Sequence, residues 1–215
     1  MAAPLELTLG QLSALANRKA AEIERLSFRP PLEDSKLLII GAVRQGFQQG
    51  MSPDGIPWAP LKFQRPYAGT SNKPLLNFGF LQASIVGAGR GHVEKLTDFE
   101  LIMGTNLESA GLHQFGGTIT PRRAKALTIP LTKEAARAGG ARRFGRPLFV
   151  LQGNEGETAF LAEKVTKGKQ QKLIRHYLLT KRVTVPARPF LGFGQQLVKE
   201  IDSTFTEYVE KQLGF

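Results

Sequence analysis

Met51-Ser-Pro-Asp-Gly-Ile-Pro-Trp-Ala-Pro-Leu61 is the stretch whose reading decides the fold. Pro53-Asp54-Gly55 suits a tight turn: proline pre-sets its backbone angle, aspartate bonds its local backbone, and glycine accepts dihedrals that other residues avoid. Pro57 and Pro60 forbid helix on either side of Trp58, the sole tryptophan of the chain. Helical periodicity runs into this segment and strand-like patterns leave it, so it marks the joint between a helical part and a sheet. Trp58 is expected to plug a core there, which makes the segment scaffold.

Upstream, Leu9, Leu12, Leu15, Ala16, Ala20, Ile23 and Leu26 recur at helical spacing, with Thr8 as a candidate N-cap. Arg29-Pro30-Pro31 is expected to break this helix, and a second one to start near Leu32 or Glu33 and end at Gly50. Downstream, 62–73 reads as an exposed, mobile polar loop. Pro74-Leu-Leu-Asn-Phe-Gly-Phe-Leu81 then returns the chain to the core. Ala83–Val86 and His92–Leu96 read as the two strands of a hairpin, with the glycine-rich residues 87–91 as its turn. Phe99–Gly104 suits a further strand. In His113-Gln-Phe-Gly-Gly117 the histidine beside Gln114 reads as a hydrogen-bonded structural residue, Phe115 as packed inward, and Gly116 and Gly117 as a sharp bend.

Charge is distributed unevenly. Residues 121–182 hold 15 Lys and Arg against 4 acidic residues, a difference of +11, which equals the excess of the whole chain; elsewhere 14 basic residues face 14 acidic ones. Within this segment Ala126–Leu131, Leu148–Gln152, Thr158–Val165 and Tyr177–Val185 read as strands and Thr132–Ala138 as a short helix. Residues 139–146 read as a flexible basic loop and Lys164–Lys172 as a lysine-rich turn that is mobile or ordered only by a partner. Gln195–Leu213 closes the chain as a helix with Leu197, Val198, Ile201, Phe205, Tyr208, Val209 and Leu213 on one face.

Several classes are disfavoured. The chain has no cysteine, hence no disulfide, thiolate metal site or cysteine nucleophile. His92, His113 and His176 lack ligand spacing, so no metal or cofactor is expected. The glycines at 87–91 are not followed by the Lys-Ser or Lys-Thr of a phosphate loop. No Ser-His-Asp, HExxH or paired-carboxylate pattern occurs, so no enzyme activity and no catalytic residue is expected. The N-terminus lacks the marks of a signal peptide, and the apolar run Leu37–Val43 is far short of a membrane span, so a soluble protein made in the cytoplasm is expected.

Four pieces stand in order: Ser52-Pro-Asp-Gly-Ile-Pro-Trp-Ala-Pro-Leu61, Pro74-Leu-Leu-Asn-Phe-Gly-Phe-Leu81, His113-Gln-Phe-Gly-Gly117 and Val185-Pro-Ala-Arg-Pro-Phe-Leu-Gly192. Together they resemble the phage virion morphogenesis family, the Mu-like and P2-like tail completion proteins of tailed bacteriophages. The resemblance spans about residues 30 to 120 and 183 to 213. It implies an α+β fold in which an antiparallel sheet is packed by N-terminal helices and a C-terminal helix. It also implies a structural, late-made virion protein at the neck or tail end, completing the tail or joining it to the head. Such a protein works as a homo-oligomeric ring, expected here as a hexamer, against neighbouring connector, tail terminator or tube proteins and with genomic DNA in the channel. The expected organisation is a helical arm over 1–31, a core formed by 32–120 and 183–215, and a basic β-rich insertion over 121–182 that departs from the family pattern.

Pro53, Asp54, Gly55, Trp58, Gln114, Phe115, Gly116, Gly117, Pro186, Arg188, Pro189 and Phe190 are therefore expected as structural motif residues. Trp58, Phe115 and Phe190 belong among them to core packing. Arg188, stiffened between prolines, is read either as an intersubunit anchor or as half of an internal pair with a carboxylate. Arg122, Arg123, Arg142, Arg143 and Arg146 are the candidate contacts to a neighbouring protein or to DNA. The alternative reading is a DNA-binding module that uses 121–182.

Overall fold

The computed structural model describes residues 8–61, 73–87, 89–153, 159–167 and 170–214. The protein is α+β, and two apolar clusters organise it. Nearly all of the polar loop read over 62–73 lies outside the described residues.

Helix α1, Leu9–Glu24, is capped as its sequence suggests: Thr8 Oγ1 accepts from Gln11 N, and Gln11 Oε1 accepts from Thr8 N. Helix α2 runs over Arg29–Gln49, earlier than the expected start. The proline pair does not break a helix but begins one, because the first-turn N–H groups that proline lacks have no intrahelical partner anyway. The 31/32 boundary thus falls inside α2. Gly50 ends it in the left-handed region at φ 72°.

A second correction concerns Ala83–Val86. Ala83, Ser84 and Ile85 belong to helix α3, Phe80–Ile85, and Val86 is its C-cap, not part of a strand. The hairpin is instead β1, His92–Leu96, paired antiparallel with β2, Leu101–Thr105. Short helix α4, Ala110–Phe115, follows, then β3, Gly117–Ile119.

The basic segment folds as a unit of its own. Strands β4 (Leu127–Pro130), β5 (Phe149–Gln152), β6 (Ala159–Lys167) and β7 (Gln170–Thr180) form an antiparallel sheet in the order β4-β7-β6-β5. Helix α5, Lys133–Arg137, and a single 3-10 turn at Ala141–Arg143 pack over it. Buried Ala135, Phe144 and Tyr177 form its core with Leu148 and Leu161 around them. The expected flexible loop over 139–146 therefore supplies a core aromatic. Pairing in β6 and β7 extends to Lys167 opposite Gln170, well into the stretch read as a lysine-rich turn. The strand read over Tyr177–Val185 is two: β7 ends at Thr180, and β8, Val183–Val185, pairs with β3. This β3-β8 ladder is the stalk joining the unit to the rest.

The last helix, α6, spans Gln195–Leu213, the range its periodicity predicts. It packs mainly against α2. The larger apolar cluster holds Val43 and Phe47 of α2, Trp58, Leu75, Leu81 and Ile85 of α3, Ala110 and Phe190.

Candidate functional site: a motif hub and two exposed surfaces

The distant motifs meet. In the first, Gly55 N donates to Ser52 O at 2.9 Å, and Ser52 Oγ accepts from Ile56 N at 3.1 Å, closing the Pro53-Asp54 turn; Gly55 sits at φ 76°. Met51 and Pro57 form a bridge, and Trp58 N donates to Gly50 O at 2.8 Å. This sends the Trp58 ring edge-on against Phe47, with centroids 5.4 Å apart, while its Nε1 donates to Pro189 O at 2.7 Å. Phe190 packs on Phe47 from the other motif.

Arg188 is 5 % exposed. Its Nε donates to Ala59 O at 2.7 Å and its Nη2 to Pro60 O at 3.0 Å. Its place is inside the chain, on carbonyls of the Trp58 segment, which corrects the intersubunit-anchor expectation. Proline explains the arrangement: carbonyls in a Pro-rich loop have no ladder or helix partner, so a buried fork of donors satisfies them. Pro186 and Pro189 flank this arginine in an extended stretch.

Gln114 completes the hub. Its Oε1 accepts from Phe190 N at 3.0 Å and Leu191 N at 3.2 Å, while its Nε2 donates to Leu191 O at 2.8 Å. His113 O accepts from Arg188 N at 2.8 Å. Gly116, at φ 73° and ψ −179°, turns the chain so closely past the same segment that a Cβ would lie 2.7 Å from Ala187 N. A Cβ at Gly117 would meet Leu112 Cδ1 at 2.9 Å. That turn aims Phe115 away from the core: it is 80 % exposed, against the expectation that it packs inward. Gly194 seals the remaining side, since a Cβ there would strike Pro53 O. In the second motif, Leu76 N donates to Pro74 O across Leu75, a γ-turn that holds buried Leu75 at φ 61°.

Of the five arginines, Arg122, Arg123, Arg142 and Arg143 are exposed and enter no ion pair among the described residues. Arg146 differs from them. It pairs with Glu163 at 2.9 Å and lies over the Phe144 ring at 4.9 Å, so it belongs to the unit's internal structure. Arg175 likewise stacks over Phe160 at 4.8 Å.

One constellation is invisible in the linear sequence. His176 is 2 % exposed, with Nδ1 at 2.8 Å from Thr132 Oγ1 and Nε2 at 3.0 Å from Glu163 Oε2. The order hydroxyl, imidazole, carboxylate resembles a nucleophile with its base and orienting acid. Thr132 Oγ1, however, also accepts from Ala135 N as the cap of α5, and Phe144 covers the imidazole with centroids 4.4 Å apart. The group thus ties β4, β6, β7 and α5 together. Beside it, burial raises the Tyr177 phenol above its ordinary range, and its hydroxyl donates to Ala135 O at 3.0 Å. At the hairpin, hydrogen bonds from Lys36 and then His92 hold the Glu94 carboxyl below the usual range.

A groove of about 800 Å³ opens between α2, β2, residues 190–194 and the start of α6. Leu37, Ile102 and Phe193 line it with much of their surface exposed. Among the described residues no group of His, Asp and Glu could hold a metal ion, and no helix is long and apolar enough to cross a membrane. Searches of family models, curated proteins and solved structures return no match to this chain.

Proposed function

We propose that the chain is a structural protein of a tailed-phage virion, located at the neck or tail end, where copies assemble as a ring that completes the tail or joins it to the head. The observation that carries this reading is the convergence of the resembling motifs. Trp58, Gln114, Gly116 and Arg188 spend their polar atoms and backbone freedom on segments of the other motifs, 71 to 131 residues away, and not on a cleft with converging reactive groups. Residues used this way fix a shape, which is what an assembly protein requires. Electron microscopy of particles made when the gene is inactivated tests it. Full heads beside separate tails, or tails of abnormal length, are expected; normal infectious virions would overturn it.

The four unpaired arginines favour a second reading, in which the basic unit meets DNA. A field that strong on an inward-facing unit attracts the phosphate backbone, whereas an outward-facing one suits an acidic neighbouring ring. Duplex binding that weakens steeply with added salt would support DNA contact. Absence of binding at low salt would remove it.

A further inference from the structure

The four-stranded sheet of the basic unit has a second face that neither apolar cluster includes. Tyr177 and Leu161 point toward α5, since Tyr177 Oη donates to Ala135 O and Leu161 packs on the smaller cluster. Side chains alternate along a strand, so their neighbours Leu178 and Phe160 point the other way. Register sets Ile129 and Leu151 beside them, giving the row Ile129, Leu178, Phe160, Leu151 across all four strands. Each of the four is partly exposed, and none belongs to either cluster.

Cations rim this face, and carboxylates do not. The next row holds Phe149, Ala162 and Arg175. Phe149 is 40 % exposed and the Arg175 guanidinium lies over the Phe160 ring, so a bare ring and a ring capped by a guanidinium face outward as diagonal neighbours. Lys164 is exposed on the same side, two residues beyond Ala162. The one acidic residue of the four strands, Glu163, lies on the other face, bound to His176 and Arg146. At the end of the sheet, residues 120–126 and 181–182 lead into the β3-β8 ladder. They carry Arg122, Arg123, Lys125, Lys181 and Arg182 and no acidic residue. All five cations are exposed and enter no ion pair among the described residues. Lys181 follows Leu178 by three residues, about 10 Å of extended chain.

An occupant of this face must bring flat apolar groups and negative charge together. A dry apolar partner would bury Arg175 and Lys164 without counter-charges, which is costly. A second copy of the same face would set cation against cation. A DNA duplex brings phosphates, but its bases are paired and stacked and keep their faces inside. Unpaired bases meet both demands: they stack on aromatic rings and on guanidinium groups while their phosphates follow cations.

We propose that this face of the basic unit binds single-stranded nucleic acid, with bases on Phe149 and on the stacked Phe160 and Arg175, and phosphates on the cations of 122–125 and 181–182. Recognition through ring faces and phosphates tolerates many sequences. The inference rests on the reading that the basic unit meets nucleic acid and goes beyond it, since a duplex would use the cations and leave the rings idle.

The test titrates the full chain into fluorescently labelled oligothymidylate of about twelve nucleotides, and into a duplex of the same length, at low salt, and reads anisotropy. Tighter binding of the single strand is expected. Phe149→Leu keeps apolar bulk at an exposed position and loses the ring, so single-strand affinity should fall at least about fivefold while duplex affinity holds. Phe149→Tyr keeps the ring and should bind as the unchanged protein does. K181E/R182E should weaken both ligands at least about tenfold. R142E/R143E makes the same charge change in the turn packed over the opposite face and should weaken the single strand several-fold less. No single-strand binding at low salt, F149L binding like the unchanged protein, or equal losses in the two double variants would each overturn the site. Duplex bound as tightly as single strand would also overturn it and leave the duplex reading standing, whereas no binding of either would remove both. Displacement of the oligonucleotide by polyglutamate at matched charge would overturn it in favour of an acidic protein partner.

Discussion

Gln114 and Leu191, 77 residues apart in the chain, exchange two hydrogen bonds: the side-chain amide of one donates to the carbonyl of the other at 2.8 Å and accepts from its N–H at 3.2 Å. A side chain here takes the place of a neighbouring strand. The backbone of 190–191 is held as though in a ladder, and Phe190 is thereby fixed against Phe47 and Trp58.

Replacing Gln114 by Ala strands Phe190 N, Leu191 N and Leu191 O together. With about 1 kcal/mol or more lost per partly buried group, a destabilisation on the order of 3 kcal/mol is expected in urea titrations followed by Trp58 fluorescence. Trp58 is the sole tryptophan, so its emission reports the hub directly. Gln114→Glu keeps the acceptor and loses the donor, placing a carboxylate against Leu191 O. Its deficit should shrink on acidification, when the protonated acid can donate; a deficit that is unchanged across acidic pH would contradict the assignment.

Gly116→Ala combines a left-handed φ of 73° with a Cβ only 2.7 Å from Ala187 N. Strain of roughly 1–3 kcal/mol is expected before any displacement of the 185–191 segment is counted. Gly111→Ala in α4 meets open space and serves as the control; it should leave stability unchanged or slightly raised. Equal thermal midpoints for the two variants would refute the close approach.

How much of this was legible follows from the range of the forces involved. The bounds of α6 are plain in sequence because a strong apolar stripe and left-handed Gly214 are local signals. Ala83–Val86 misleads because four residues, three of them apolar, are too short a run to carry a period; the turn at Gly79 and the packing of Leu81 and Ile85 make Ala83–Ile85 helical. Phe115 misleads for a different reason: an aromatic residue beside two glycines resembles a core plug, yet the turn at Gly116 throws it outward. The partners of Arg188 and the whole His176 group could not be read, since the contacts span 128 and 44 residues and obey no spacing rule.

The basic unit should respond locally to loss of Glu163. Glu163→Ala removes the acceptor for buried His176 Nε2 and the ion pair of Arg146 in one step. Hydrogen exchange is expected to quicken in β4, β6 and β7 while α2 and α6 keep their protection, because the two apolar clusters are separate. Uniform loss of protection would show that the two clusters unfold as one.

The tyrosine and glutamate shifts give opposite pH limits. Tyr177 has a raised folded value, so its unfolded form deprotonates first; stability is full below pH 10.0 and falls as pH rises beyond it. Tyr177→Phe should flatten that alkaline loss. Glu94 has a lowered folded value, so its contribution is present above 4.5 and is lost as pH falls through the folded value. Glu94→Gln should therefore flatten the acid limb while leaving the alkaline one intact, and added salt should weaken the effect of Glu94 more than that of Tyr177, since screening reaches a half-exposed ion pair and not a buried phenol.

The last test concerns the arginine clamp. Arg188→Lys keeps the charge but offers one ammonium where a planar fork reaches Ala59 O and Pro60 O at once. Arg188→Met keeps much of the stem volume and offers no donor. If the clamp works through its two carbonyls, both variants lose stability, Met by about 3 kcal/mol and Lys by less. Trp58 emission should shift toward the red in each, because the 59–60 segment that follows the indole is no longer held over the 188–190 segment. Were the role one of bulk alone, Met would match the unchanged protein and Lys would fare worse. The order of the two variants thus distinguishes a hydrogen-bonded joint between motifs from simple filling of space.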